Sequence, residues 1–257
     1  PIPLPNPLDG SASAPQVAAG LNGNVFAAWE HSDAIGAHRV IAARYIAADG
    51  WPAGWRTPVI LEPGVAQRNP AIAGTPDGVA IVAWENGAIG EIWSGWLAPD
   101  GGWSTATRVS GDGEEARNPK LAVDAWGRAT AVWKKTPTIT ARAARFDPDA
   151  GWNAETLFRT TTNQVGTISL AAAPSGRMIM LWSEAVTLYD RICVTSFFPN
   201  TDTGGRWDDA GIVDTANPGA GETAQSPSMA VDPAGNVFVV WSQTVSGTTT
   251  NWASLCR

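Results

Sequence analysis

The sequence predicts an all-β fold, a five-bladed β-propeller with four antiparallel strands in each blade, and three observations carry that prediction. One motif recurs five times along 257 residues, its copies about 50 residues apart. Each copy reads as short apolar strands joined by glycine-bearing turns. The composition agrees, since 27 Gly and 19 Pro beside only 16% charged residues suit a chain of many tight turns.

The copies are PQVAAGLNGNVFAAW, ending at Trp29, PAIAGTPDGVAIVAW at Trp84, PKLAVDAWGRATAVW at Trp133, ISLAAAPSGRMIMLW at Trp182 and PSMAVDPAGNVFVVW at Trp241. A glycine stands six residues before every one of these tryptophans (Gly23, Gly78, Gly127, Gly176, Gly235). An alanine stands eleven before (Ala18, Ala73, Ala122, Ala171, Ala230). Fourteen before stands Pro15, Pro70, Pro119 or Pro227, with Ile168 the one departure.

Within a copy the elements follow in order. Strand one is small and apolar, as in Pro119 to Val123. The turn after it places glycine where a positive φ is needed, as in Asp232-Pro233-Ala234-Gly235. Strand two is apolar almost throughout, as from Val79 to Trp84, the pattern of a strand buried on both faces. A polar loop of variable length leads to strand three, Arg39 to Tyr45 in the first copy and Glu91 to Leu97 in the second. A Gly-Trp turn opens strand four at Gly50-Trp51, Gly102-Trp103, Gly151-Trp152 and, with one insertion, Gly205-Arg206-Trp207. The last copy ends with its third strand, Asn251 to Cys256, and lacks a fourth. The extended segment Pro1 to Pro5 is therefore expected to close that blade as an outer edge strand, where proline is tolerated. One domain, residues 1–257, accounts for the whole sequence.

Composition excludes several classes. No apolar run approaches the length of a membrane-spanning helix. A net charge of −7 with only 17 basic residues argues against a nucleic-acid surface. Cys193 and Cys256 are too few for a disulfide framework or a closed zinc site, and they fall four residues apart on aligned third strands, so they are expected not to pair. His31 and His38 lack a third ligand, and no triad or phosphate loop occurs, so no metal or cofactor is expected. The start, without Met, fits a processed secreted or surface protein, and a monomer is the simplest expectation.

The loops before strand one and after strand two share one face, and their residues vary while the repeat around them does not. Arg68, Asn69, Arg117 and Asn118 come from the first set; Glu30, Glu85 and Lys134 directly follow the repeat tryptophans. Arginine forks and amides of this kind grip hydroxyls or carboxylates, although inter-blade salt bridging would use the same residues. The repeat tryptophans are expected in the core. Trp93 and Trp96, with Trp126, Trp252 and an extra Trp55, depart from the repeat columns and are candidates for stacking on a sugar face. Glycoside hydrolysis on such a fold would use carboxylates from different blades, and Glu30 and Glu85 occupy equivalent columns of neighbouring blades, but a repeat-related pair reads first as a structural inheritance.

The repeat Pro-x-x-Ala-x-x-x-x-Gly-x-x-x-x-x-Trp, followed by a third strand and a Gly-Trp turn, resembles Trp-rich propeller repeats of bacterial secreted and surface proteins. In ring size it is also similar to the tachylectin-2-like five-bladed lectins, which implies sugar binding. The resulting expectation is a non-catalytic recognition propeller with a glycan or protein ligand, carbohydrate favoured. The alternatives are a protein-interaction or structural module and, third, a glycosidase on a five-bladed propeller.

Overall fold

The computed structural model describes residues 9–20, 22–61, 66–97, 101–111, 113, 115–136, 140–154, 156–159, 163–199, 205–214 and 222–256. The fold is all-β, with one short 3-10 turn at Ala47–Asp49 and five antiparallel sheets that follow the five repeats. Sheet one holds β1 (Ser11–Ala19), β2 (Val25–Ser32), β3 (His38–Tyr45) and β4 (Val59–Ile60). Sheet two holds β5 (Arg68–Gly74), β6 (Ala80–Asn86), β7 (Glu91–Trp96) and β8 (Thr107–Arg108). Sheet three holds β9 (Glu115–Val123), β10 (Ala129–Thr136), β11 (Thr140–Asp147), β12 (Gly151–Trp152) and β13 (Thr156–Arg159). Sheet four holds β14 (Gln164–Ala172), β15 (Met178–Val186), β16 (Tyr189–Phe198), β17 (Arg206–Trp207) and β18 (Gly211–Ile212). Sheet five holds β19 (Thr223–Val231), β20 (Val237–Val245) and β21 (Thr248–Cys256). Sheet five thus has three strands among the described residues, and the expected closing strand, Pro1 to Pro5, lies outside them.

The chain forms two compact units, Pro1–Thr136 with Ala143–Thr156, and Pro137–Arg142 with Leu157–Arg257. In the first unit, Trp84 packs on Ala28, Val40 and Ala42 of sheet one, and Trp133 packs on Ala83 and Ile92 of sheet two. In the second, Trp241 packs on Ile179, Leu181 and Ile192 of sheet four. The same repeat position therefore fills the core between successive sheets in both units. All five repeat tryptophans are buried. The glycine six residues earlier closes one turn in every copy; Gly127, at φ +79°, donates its N–H to the Asp124 carbonyl at 3.1 Å. Only glycine takes that φ without strain.

The fourth strand of sheet one corrects the reading of its Gly-Trp turn. Trp103 bridges Leu97, Trp152 pairs with Phe146, and Trp207 pairs with Phe197. In sheet one the residue that bridges the matching Tyr45 is Trp55, not Trp51. Gly54-Trp55 is thus the repeat turn, and Trp51 belongs to an insertion, its ring 65% exposed. Ring contact explains the choice: Tyr45 meets Trp55 at 5.5 Å between centroids, as Phe146 meets Trp152 at 5.5 Å and Phe197 meets Trp207 at 5.4 Å.

The cysteine alignment matches the observed register. Cys193 lies opposite Trp182 and Trp252 opposite Trp241, while Cys256 lies opposite Val237, four residues further along. Cys193 carries a thiol, not a disulfide, and donates it to Glu184 Oε2 at 3.1 Å.

Candidate functional site

The first strand of every sheet is bulged at the same place, and in four of the five the bulge houses the repeat proline. Register breaks between Ser13 and Gln16, Arg68 and Ala71, Arg117 and Lys120, Val165 and Ile168, and Gln225 and Ser228. Pro15, Pro70, Pro119 and Pro227 sit inside these bulges, where a missing N–H costs no ladder bond. The residue before each proline turns left-handed: Ala14 (φ +48°), Asn69 (+50°), Asn118 (+54°) and Ser226 (+54°). Asparagine tolerates that region better than most residues. In sheet four the position is the β-branched Thr167, which is not left-handed; its N–H donates to Ser183 Oγ at 3.0 Å.

Turned out of the ladder, two bulge N–H groups find carboxylates on the preceding sheet. Asn69 N–H donates to Glu30 Oε2 at 3.4 Å, and Asn118 N–H donates to Glu85 Oε1 at 2.6 Å. The Asn69 side-chain amide also donates to Glu85 Oε1, at 2.8 Å. One asparagine therefore holds Glu30 with its backbone and Glu85 with its side chain. His38 Nδ1 meets Glu30 Oε1 at 2.7 Å. Arg117 reaches Glu85 Oε2 at 3.4 Å, Glu115 Oε1 at 3.4 Å and the Ala88 carbonyl at 3.1 Å.

The bulged ends of sheets one to three therefore bring together Arg68, Asn69, Glu30, Glu85, Arg117, Asn118 and Lys134. Their charges are not evenly matched. Arg68 lies opposite Glu85 in the register, and Lys134 lies opposite Arg117, a like-charge pair that opposes pairing of the strands. Burial, and then the nearby Lys120, push the Lys134 amine below the ordinary lysine range. Salt bridging between sheets, the alternative use for these residues, is realised at Arg117 and Glu85.

Trp93 and Trp96 stand apart from this group. Trp93 lies opposite Trp84, packs into the same cluster, and donates its indole N–H to Glu91 Oε2 at 2.9 Å. Trp96 rests on Phe146 at 5.4 Å and borders a cleft of about 550 Å³ with Trp152, Arg108, Ser110 and Asn153.

Two features escaped the sequence reading. In sheet four the buried Glu184 accepts from Arg191 Nε (3.0 Å), Asn163 Nδ2 (3.1 Å) and the Cys193 thiol (3.1 Å). Burial pushes this carboxyl up, but the three donors outweigh it and leave it below the usual carboxylate range. The second is a cap on strand three. Gln67 Oε1 accepts the Val40 N–H, Ser110 Oγ the Ile92 N–H and Asp214 Oδ1 the Ile192 N–H. Variable spacing after strand four hides this position in the sequence, although Val109-Ser110 and Val213-Asp214 are a recognisable echo.

No protein-family model and no curated protein matches the chain. Solved structures do match in fold. A Hadza microbial sialidase, Hz136, superposes with a TM-score of 0.53 at 14% identity, over 95% of this chain and 52% of its own. An ulvan lyase of polysaccharide lyase family PL25 superposes with a TM-score of 0.57 at 11% identity, over 95% of this chain and 64% of its own. The same lyase bound to -[GlcA(1-4)Rha3S]- gives 0.56 at 10% identity. This chain thus spans about half the length of the sialidase and under two thirds of the lyase. At these identities the likeness shows the fold alone, which is propeller-like. The expectation of a non-catalytic, lectin-like recognition module finds no support among these fold relatives. These fold relatives are named for the cleavage of glycans, and the third alternative, a glycosidase on a propeller, fits them better.

Proposed function

We propose that this protein is a carbohydrate-active enzyme that cleaves glycosidic bonds at the bulged ends of sheets one to three. The five sheets are read as blades of one five-bladed propeller, a reading supported by the unbroken repeat and by the propeller-like relatives.

The observation that carries the activity is the carboxylate pair. Glycoside hydrolysis needs a proton donor for the leaving oxygen and a second carboxylate as base or nucleophile. Glu30 and Glu85 come from neighbouring sheets and are both held by Asn69. Three donors, from Asn69, Asn118 and Arg117, converge on Glu85, which suits the role that carries negative charge. Glu30, held by His38 and one long N–H contact, suits proton delivery. Asn118 and Arg68, both exposed, are placed to orient sugar hydroxyls or acidic groups.

A panel of aryl-glycosides and polysaccharides, scored for reducing ends and for unsaturated products, tests the reading. The native protein should release product from at least one member. Glu85→Gln and Glu30→Gln should each lower kcat by about 10²- to 10⁴-fold, as loss of a general acid or base does. Full activity in Glu85→Gln, or no turnover across the panel, overturns the proposal.

A further inference from the structure

We infer that the site takes an acidic glycan, and that Arg68 and Lys134 hold its carboxylate or sulfate. This rests on the glycan-cleaving reading and names the substrate class of the same site.

The argument is one of charge accounting. The chain is acidic overall, with 24 Asp and Glu against 17 Lys and Arg. At the bulged ends the local acids are already engaged. Glu85 accepts from Asn69, Asn118 and Arg117, and Glu30 is held by His38 and by the Asn69 N–H. Arg68, directly across the register from Glu85, is exposed and has no hydrogen-bond or ion-pair partner among the described residues. Lys134, half-buried and opposite Arg117, likewise has none, and Lys120 adds a further positive charge beside it.

The like-charge cross-strand pair of Lys134 and Arg117 destabilises the unliganded fold at this spot. An anion placed there relieves that repulsion. The exposed Asn118 amide, also without a partner among the described residues, supplies a neutral donor alongside for a neighbouring hydroxyl. A neutral sugar would leave both charges unmatched, so recognition discriminates by charge and not only by shape. Carboxylate and sulfate share this chemistry, and the probes must separate them.

Calorimetric binding of three oligosaccharide sets to the full chain decides the matter: oligogalacturonates, their methyl esters, and sulfated dextran oligomers, each at low and high salt. The expected result is binding of oligogalacturonate, of sulfated dextran or of both, at least about tenfold tighter than the esters and weakened by salt. Lys134→Gln and Arg68→Gln should each weaken acidic binding about tenfold. Whichever acidic set binds more tightly names the group. Equal affinity for acid and ester, no binding of either acidic set, or no loss in either variant overturns the inference. Cleavage of neutral glycans without preference for acid would sink this inference and leave the enzyme reading intact. Tight acidic binding with no turnover would do the reverse.

Discussion

The ends of sheets one to three and the interior of sheet four use the same repeat positions in opposite ways. Directly after the repeat tryptophan stand Glu30, Glu85 and Lys134 in the first three copies, but Ser183 and Ser242 in the last two. In sheet four the charge appears one residue later, at Glu184. A single step along a strand turns a side chain to the other face, and Glu184 is fully buried. There it meets Arg191, Asn163 and Cys193 in a cluster whose donors match its oxygens. At the bulged ends the acids are matched but Arg68 and Lys134 are not. A carboxylate locked inside one sheet by donors of that same sheet, as Glu184 is, acts as a structural element; a cation left over beside acids that bridge two sheets is disposed towards something outside the chain.

The largest expected effect tests the structural half of that contrast. Glu184→Ala leaves a mostly buried guanidinium without its carboxylate and should lower unfolding stability by about 3–5 kcal/mol. Lys134→Ala, which removes one member of a like-charge pair, should fall within about 0.5 kcal/mol of the native protein or exceed it. Denaturant midpoints compare the two directly, and equal losses would break the contrast. The pH dependence has a defined sign. The Glu184 carboxyl is depressed on folding, so its contribution is present above the ordinary carboxylate range and disappears as pH falls through the lower folded value. The gap between native protein and Glu184→Ala should therefore narrow in acid.

A second test checks the column alignment on which the comparison of copies depends. Trp55 packs against Tyr45 and Ile41 as the repeat residue, whereas Trp51 is an insertion exposed to solvent. Trp55→Ala should cost about 3 kcal/mol and Trp51→Ala under about 0.5 kcal/mol. Reversed magnitudes would restore Trp51 to the column and shift strand four of sheet one.

That pair of residues also shows what the sequence could convey. The repeat tryptophans, the turn glycines and the all-β class were legible because each follows from a fixed spacing. The seven residues Arg68, Asn69, Arg117, Asn118, Glu30, Glu85 and Lys134 were legible as a group because they vary inside an otherwise constant frame. Two Gly-Trp pairs four residues apart could not be ranked from spacing, since the Tyr45 ring meets both tryptophans and only the backbone bridge singles out Trp55. The latch from the Asn69 and Asn118 N–H groups to the preceding sheet was hidden for another reason: it depends on a backbone turned left-handed before proline, which no side-chain pattern records. The sheet-four cluster was hidden because Asn163 and Cys193 have no counterparts of the same chemistry in the other copies, while Arg39, which matches Arg191 in sheet one, pairs with Asp33 instead.

A smaller effect is expected at a turn the two regions share. A Cβ on Gly127 would find only Pro148 Cγ at 3.7 Å and Thr75 Cγ2 at 4.0 Å, ordinary contacts, so any penalty there comes from the φ of +79° alone. Gly127→Val should cost about 1–3 kcal/mol, and Gly127→Asn distinctly less, since asparagine visits that region. Equal costs for the two would mean that crowding, not backbone conformation, selects glycine.

The smallest effect, and the one with an unusual sign, lies at Asp214. This carboxyl caps the Ile192 N–H through Oδ1, the task that Ser110 performs in sheet two with a neutral hydroxyl. Its second oxygen, Oδ2, is buried with no hydrogen-bond partner among the described residues. Burial pushes the group above the ordinary aspartate range, only partly opposed by the Ile192 N–H. As pH rises the unfolded chain loses this proton before the folded protein does, so ionisation favours unfolding. Stability from this group is thus full at low pH and lost as pH climbs through the raised folded value. Asp214→Asn keeps the acceptor for Ile192 and removes the ionisation. It should raise the melting temperature by a few degrees near pH 7 and change it little near pH 3, where the native side chain is already neutral. A lower melting temperature at pH 7 would show instead that Oδ2 is matched by a cation. Arg191, whose charge already pulls on this carboxyl, is the group that would supply it, and Asp214 would then belong with Glu184 among the saturated charges of sheet four.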